Sequence, residues 1–156
     1  MALIKPGTKA PEFTLTGLDG DRRSLQELLR HGPALLAFYK VTCPTCQYTF
    51  PFLERLKDAK VALVGISQDD QMHTAQFNRT YGVSFPVLLD AAAEDYPVSN
   101  AYGLTHVPSL IWVEPDGRIT LTSAGFVKAD LEEMARRASA GEIFHKDERI
   151  EAFRAG

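Results

Sequence analysis

Residues 34–46 of this 156-residue chain have the sequence ALLAFYKVTCPTC, in which an apolar run leads directly into two closely spaced cysteines. The unbroken apolar run from Ala34 to Tyr39 predicts a strand that is buried on both faces of a sheet. Beyond the cysteines, apolar residues recur at helical spacing to about Lys60, and Pro51 predicts a kink in that helix. The pattern therefore predicts a strand, a dithiol and a helix in direct succession.

The two cysteines, Cys43 and Cys46, form a C-P-T-C motif and are the only cysteines of the chain. A helix N-terminus stabilises a thiolate and lowers a cysteine pKa from about 8.5 to roughly 3.5–7.5. Pro44 suits the first helical position, where its missing N–H would have no intrahelical partner. Cys46 lies one turn later, within reach of a mixed disulfide on Cys43. We therefore expect Cys43 to be the nucleophile and Cys46 the resolving thiol of a redox-active pair.

The rest of the sequence alternates between strand and helix patterns. Further strands are predicted at 13–15, 61–66, 85–89, 109–113 and 119–122, and further helices at 24–30, 69–81, 96–102 and 128–140. A Pro-Asp-Gly turn at 115–117 joins the last two strands and indicates an antiparallel pair. Residues 142–156 are expected to form a short extra helix or a tail. We predict one α/β domain over residues 1–156, with a central mixed sheet flanked by helices.

Charge and hydropathy exclude several classes of partner. The net charge is −3, with both signs interspersed, so we expect no binding to nucleic acid. The sequence has no apolar run of the length that a signal peptide or a membrane span requires. We therefore expect a cytoplasmic protein without membrane association, although an exported protein trimmed of its leader would look the same. Two cysteines without a closely spaced histidine pair do not make a zinc site, and we expect no metal or organic cofactor.

Several segments, in order along the chain, resemble TlpA/ResA-type redoxins of the wider thioredoxin and AhpC/TSA superfamily. The segments are 10–15 with Gly20 (A-P-x-F-x-L…G), 38–46 with Phe50-Pro51 (C-P-x-C…F-P), 85–90 (F-P-V-x-x-D), and 102–109 with Asp116-Gly117 and Gly125. The resemblance implies a thioredoxin-like fold with an N-terminal β-hairpin extension. It also implies a thiol–disulfide oxidoreductase, which we expect to reduce disulfides in proteins or small molecules.

The same resemblance implies how a substrate binds. It makes Val107-Pro108 the cis-proline loop that faces the dithiol, where the backbone of Val107 pairs with an extended substrate. Thr42 and Pro44 complete the expected substrate-binding residues. The expected partners are a disulfide-containing protein or a small thiol substrate, together with an upstream thiol reductant. The expected oligomeric state is a monomer or a weak dimer.

Three positions depart from the family pattern. Thr42 replaces the tryptophan that usually precedes the first cysteine, which removes a large apolar surface beside the site. Ala37 stands where thioredoxins have a buried aspartate, and Thr49 where ResA-type proteins have a glutamate. Both of the familiar carboxylate proton acceptors are therefore missing, and the sequence does not identify the group that accepts the proton of Cys46.

Two alternative functions stay open at this stage. A peroxidase usually has a P-x-x-x-T/S-x-x-C motif, and here Lys40 stands near the place of the proline, so such an enzyme would need an unusual Cys43. A copper-binding module would use the two thiolates together with His106 as soft ligands. For His106 the sequence favours a solvated loop histidine.

Aromatic and acidic residues outside the motif have structural explanations. Phe38 and Trp112 are expected in the core because they lie on predicted buried strands. The sequence leaves the burial of Tyr39 undecided. Asp69 and Asp70 lie at the start of the helix predicted over 69–81, where negative charge is favourable.

Overall fold

An interior strand, β3 (Ala34–Tyr39), organises the sheet in the computed structural model of the protein, which describes residues 2–156. It pairs in parallel with β4 (Ala62–Ser67) and antiparallel with β6 (Ser109–Val113). All six of its residues are buried. Because both edges are paired and both faces are covered, apolar side chains fill this strand without leaving a buried polar group unsatisfied.

Seven strands form one mixed sheet. The other members are β1 (Thr14–Gly17), β2 (Arg22–Ser24), β5 (Val87–Leu89) and β7 (Ile119–Ala124). The order across the sheet is β2-β1-β5-β4-β3-β6-β7. Strands β3, β4 and β5 are parallel, whereas the β1–β2, β1–β5, β3–β6 and β6–β7 pairs are antiparallel. This topology confirms the predicted α/β class, with a central mixed sheet and an N-terminal hairpin at one edge.

The part of the chain that the structure describes contains five α-helices. They are α1 (Leu25–Leu28), α2 (Pro44–Leu53), α3 (Gln71–Tyr81), α4 (Pro97–Ala101) and α5 (Lys128–Arg137). The hydroxyl of Ser24 accepts a hydrogen bond from the Glu27 N–H at 3.2 Å, as the spacing of the two residues predicts. Among residues 2–156, no helix is long and apolar enough to cross a membrane.

Alternate residues of β3 face two different apolar cores. Leu35 and Tyr39 belong to a core that includes residues of α2, α3 and α5. Leu36 and Phe38 belong to the core on the other face, which includes residues of α1 and α4. The sheet is thus covered by helices on both faces, as a strand with no polar face requires.

The aromatic residues of the inner strands lie in these cores. Phe38 and Trp112 are 0% and 1% exposed, which confirms the prediction for both. Tyr39 is also fully buried, and its hydroxyl donates to the Asn78 side-chain oxygen at 2.9 Å. Burial also raises the pKa of Tyr39, so this phenol stays protonated. The guanidinium of Arg137 lies 5.7 Å from the centre of the Trp112 ring.

The helix after the cysteines is shorter than its apolar spacing predicts. It ends at Leu53 and continues as a turn of 3-10 helix over Glu54–Leu56. The chain must then turn, because Ala62 begins β4 in register with Ala34. Pro51 lies inside α2 and has no N–H to continue the hydrogen-bond ladder.

The segment after α5 forms an extended end instead of a further helix. Within it, β9 (Phe153–Arg154) pairs antiparallel with β8 (Phe126–Val127). Gly125 precedes β8 with a φ of 76°, and a Cβ at this position would stand 2.5 Å from the Arg154 carbonyl oxygen. Position 125 therefore requires glycine, because the backbone of Arg154 passes directly beside it.

Leu36→Ala should destabilise the protein by about 2–5 kcal/mol, because it leaves a cavity in a fully packed core. Leu36 is 0% exposed. Met72, which is 75% exposed on α3, supplies the control: Met72→Ala should change the free energy of unfolding by less than about 0.5 kcal/mol. Urea denaturation measures both. A similarly small decrease in the free energy of unfolding of both variants would contradict the placement of β3 inside the sheet.

Candidate active site

Cys43 caps the N-terminus of α2. Its Sγ accepts a hydrogen bond from the Cys46 N–H at 3.0 Å, in the position where a serine or aspartate oxygen usually caps a helix. Its own N–H donates to the Lys40 carbonyl at 3.2 Å, which holds the turn before the helix. Pro44 occupies the first turn of α2. The helix therefore begins at the sulfur of Cys43.

These surroundings make Cys43 an acidic thiol. The Cys46 side chain donates a hydrogen bond to the Cys43 sulfur and is the largest cause that lowers its pKa to about 6. Partial burial opposes this effect, and the backbone N–H groups of Cys46 and Thr45 add to it. At pH 7 the thiolate is therefore the main form of Cys43.

Cys46 has the opposite acidity. It is 0% exposed, and burial is the main cause that raises its pKa. Its hydrogen bond to Cys43 and the negative charges of Cys43 and Asp69 raise the pKa further, whereas the Lys40 backbone acts in the other direction. One thiol of the motif is thus ionised near neutral pH, and the other keeps its proton.

The Val107-Pro108 peptide is cis, and its loop lies beside the dithiol. The Sγ of Cys43, when protonated, donates to the Val107 carbonyl at 3.3 Å. The Ser109 hydroxyl holds the same loop through the His106 carbonyl at 2.8 Å. Val107 and Cys43 therefore meet although 64 positions separate them in sequence.

The other two residues expected to bind substrate lie at the mouth of this site. Thr42 and Pro44 flank Cys43 in sequence, and both are exposed. Both are therefore accessible to a molecule that approaches the sulfur.

A carboxylate outside the motif holds the loop that leads to Cys43. Asp69 accepts a hydrogen bond from the Val41 N–H at 2.8 Å. Its own N–H donates to the Ser67 hydroxyl at 3.0 Å, and that hydroxyl is 2.7 Å from Thr74 Oγ1 in the buried interior. The end of β4 is thereby tied to the loop after β3.

Helix capping therefore explains Asp70 but not Asp69. Asp70 does cap α3 and accepts from the His73 N–H at 2.8 Å. Asp69 instead faces the loop before Cys43. The position of Asp69 just after a buried strand that is parallel to β3 indicates this contact, because neighbouring parallel strands end at the same edge of a sheet.

The two positions without the family carboxylates contain no substitute for them. Ala37 is buried within β3. Thr49 is also buried, and its hydroxyl donates to the Thr45 carbonyl at 2.7 Å. Of the carboxylates, Asp69 is the one whose charge acts on Cys46.

The remaining candidate residues lie on the surface. His106 is exposed, and its Nδ1 is 3.0 Å from the Thr105 hydroxyl. Lys40 is exposed, with its Nζ 5.9 Å from the centre of the Tyr96 ring. Over residues 2–156, no three or more histidine, cysteine, aspartate and glutamate side chains form a group that could hold a metal ion.

Replacing Cys46 should change the acidity of Cys43 in a way that depends on the replacement. Cys46→Ala removes the side-chain donor and should raise the pKa of Cys43 by about one unit or more. Cys46→Ser keeps a hydroxyl donor and should have a smaller effect. The rate of Cys43 alkylation as a function of pH measures the pKa. Equal pKa values in all three proteins would contradict the assigned hydrogen bond.

Comparisons with known proteins agree with this geometry. The sequence profile of the AhpC/TSA family matches residues 6–122. The thiol–disulfide oxidoreductase ResA of Halalkalibacterium halodurans is 30% identical over 129 residues, which cover 80% of this chain and 71% of that protein.

Two solved structures have a similar backbone. The thioredoxin domain of a thiol–disulfide oxidoreductase from Bacteroides vulgatus has a TM-score of 0.75 at 22% identity, covering 86% of this chain and 97% of that one. A secreted disulfide oxidoreductase of Mycobacterium tuberculosis, homologous to E. coli DsbE, has a TM-score of 0.66 at 28% identity, covering 82% and 95%. The fold is therefore thioredoxin-like, and the chain belongs to the AhpC/TSA family as a thiol–disulfide oxidoreductase of the TlpA/ResA type.

Proposed function

We propose that the chain reduces disulfides in proteins or small molecules, with Cys43 as nucleophile and Cys46 as resolving thiol. The observation that supports this assignment is the placement of the two thiols: Cys43 caps the start of α2 and is partly exposed, whereas Cys46, one turn later, is fully buried. Thiol–disulfide exchange needs a thiolate to attack and a second thiol that stays protonated until it is required.

In the first step the Cys43 thiolate attacks one sulfur of the substrate disulfide. A Cys43–substrate S–S bond forms, the substrate S–S bond breaks, and the other substrate sulfur leaves as a thiolate. The partial exposure of Cys43 lets a disulfide reach its sulfur. The Val107 backbone beside this sulfur is proposed to pair with an extended substrate, and Thr42 and Pro44 to contact it.

In the second step Cys46 loses its proton and attacks the Cys43 sulfur. The mixed disulfide has no negative charge on Cys43, so one of the causes that raise the pKa of Cys46 is gone at this point. The Cys43–Cys46 disulfide forms and the substrate leaves as a dithiol. An upstream dithiol reductant then supplies two electrons and two protons to restore the enzyme.

The acidity of Cys43 favours the reducing direction. A strong stabilisation of the thiolate makes a dithiol an oxidant, as in proteins whose attacking cysteine has a pKa of about 3.5 and whose potential is about −120 mV. The pKa of Cys43 is lowered only to about 6, so its thiolate is less strongly stabilised than that of such an oxidant.

The reduction potential tests the direction of electron flow. Equilibration in dithiothreitol or glutathione buffers, followed by alkylation and mass spectrometry, should give a two-electron transition near or below about −230 mV. A transition near −120 mV would instead indicate an oxidant.

The Cys46→Ser variant tests the roles of the two cysteines. It should accumulate a mixed disulfide through Cys43 when mixed with a disulfide substrate, because the second step is blocked. Cys43→Ser should accumulate none. Mass spectrometry identifies the linked sulfur. If hydrogen peroxide oxidises Cys43 to sulfenic acid faster than disulfides react with it, the enzyme is a peroxidase and the proposal is wrong.

A further inference from the structure

Residues 153–156 lie across the dithiol motif. We define the C-terminal tail as residues 153–156, which begin with β9. The Thr45 hydroxyl, between the two cysteines, donates to the Ala155 carbonyl at 2.6 Å. Thr45 is only 9% exposed. An extended segment of the protein is therefore hydrogen-bonded to the motif itself.

The tail reaches the cis-proline loop at Gly156. Gly156 lies so close to Val107 that a Cβ at this position would collide with the Val107 carbonyl oxygen. The same Cβ would stand 3.4 Å from the Cβ of His106. The tail therefore spans from β8, past Thr45, to the loop beside Cys43.

The tail is held in place by contacts of a charged side chain more than by buried apolar side chains. The Arg154 guanidinium lies 4.1 Å from the centre of the Tyr48 ring on α2, and it pairs with Glu151 at 3.0 Å. Phe153 is 59% exposed and so provides little apolar burial. Exposed ion pairs and short strand pairs contribute little stability each, so the tail can be displaced without unfolding the core.

Val107 also lines a cavity of about 190 Å³ in which the tail has no part. The residues around it are Lys40, Gln68, Leu104, Thr105, His106 and Val107. Cys43 itself stays partly exposed with the tail in place. Space beside the loop and part of Cys43 therefore stay open while the tail is in place.

We propose that the C-terminal tail occupies the place where an extended polypeptide substrate binds beside Val107, so that a protein disulfide must displace it and a small disulfide need not. This inference rests on the proposed function, because it concerns access to the same thiolate. Two extended segments cannot lie along one side of the loop together. The fraction of molecules with the tail displaced then limits the apparent affinity for a protein substrate.

Arg154→Ala weakens the tail without shortening the chain, and Arg149→Ala is its matched control. Arg149 is exposed on the same segment and has no ion pair among those of residues 2–156. A deletion of residues 153–156 removes the tail completely. The probes are a synthetic ten-residue peptide with a cysteine linked to nitrothiobenzoate, and 2-hydroxyethyl disulfide.

The deletion should raise the second-order rate constant for the peptide about tenfold, and Arg154→Ala should raise it about threefold. With 2-hydroxyethyl disulfide, the rate constants of the deletion variant and of Arg154→Ala should stay within about twofold of that of the original protein. The rate constants of Arg149→Ala should stay within about twofold with both probes. Equal acceleration for both probes, or none for the peptide, would overturn the inference. If the original protein reacts with neither probe, the proposed function itself fails.

Hydrogen exchange gives a second measurement that does not depend on how the deletion variant folds. The Cys46→Ser protein is joined through Cys43 either to the peptide or to 2-mercaptoethanol. The peptide adduct should exchange the tail amides faster than the mercaptoethanol adduct, because the peptide takes the tail's place. Equal exchange in the two adducts would show that peptide and tail occupy different sites, and it would overturn the inference.

Discussion

The pairing of β3 with both of its neighbours determines where each group of the proposed site lies. In the parallel register Tyr39 is opposite Ser67, so Asp69 leaves β4 beside the loop that leads to the first cysteine. In the antiparallel register Phe38 is opposite Ser109, so the cis-proline loop enters β6 at the same edge. A shift of one residue in either pair would turn the buried side chains to the wrong face and separate these groups.

The chemistry then depends on a difference in solvation between two neighbouring thiols. Cys43 lies at the boundary with water and receives hydrogen bonds from the first turn of α2. Cys46 points inward, where its ionised form has no water to stabilise it. The same short helical turn therefore contains a nucleophilic thiolate, Cys43, and a thiol that keeps its proton, Cys46. Both electrons of the proposed exchange come from sulfur.

The sequence predicted the parts of the protein that depend on local patterns. The apolar run at 34–39, the helix start at Cys43 and the hairpin strands all follow from periodicity and capping rules. The place of Val107 beside Cys43 was predicted only from a family resemblance. The register of the sheet brings these two residues together, and no local pattern in the sequence shows that register. The role of Asp69 depends on a side-chain bond to a distant backbone, and β9 is too short to show any periodicity. Contacts of this kind have no local signal for a sequence analysis to detect.

The single tryptophan of this chain lies away from the dithiol motif. Trp112 is buried opposite Leu35, at the end of β3 that lies away from the cysteines. Thr42 takes the position beside the first cysteine where a tryptophan would sense the sulfur. Intrinsic fluorescence in this protein therefore reports the packing of the core beneath Arg137. Tryptophan fluorescence can therefore follow unfolding from a position outside the dithiol motif.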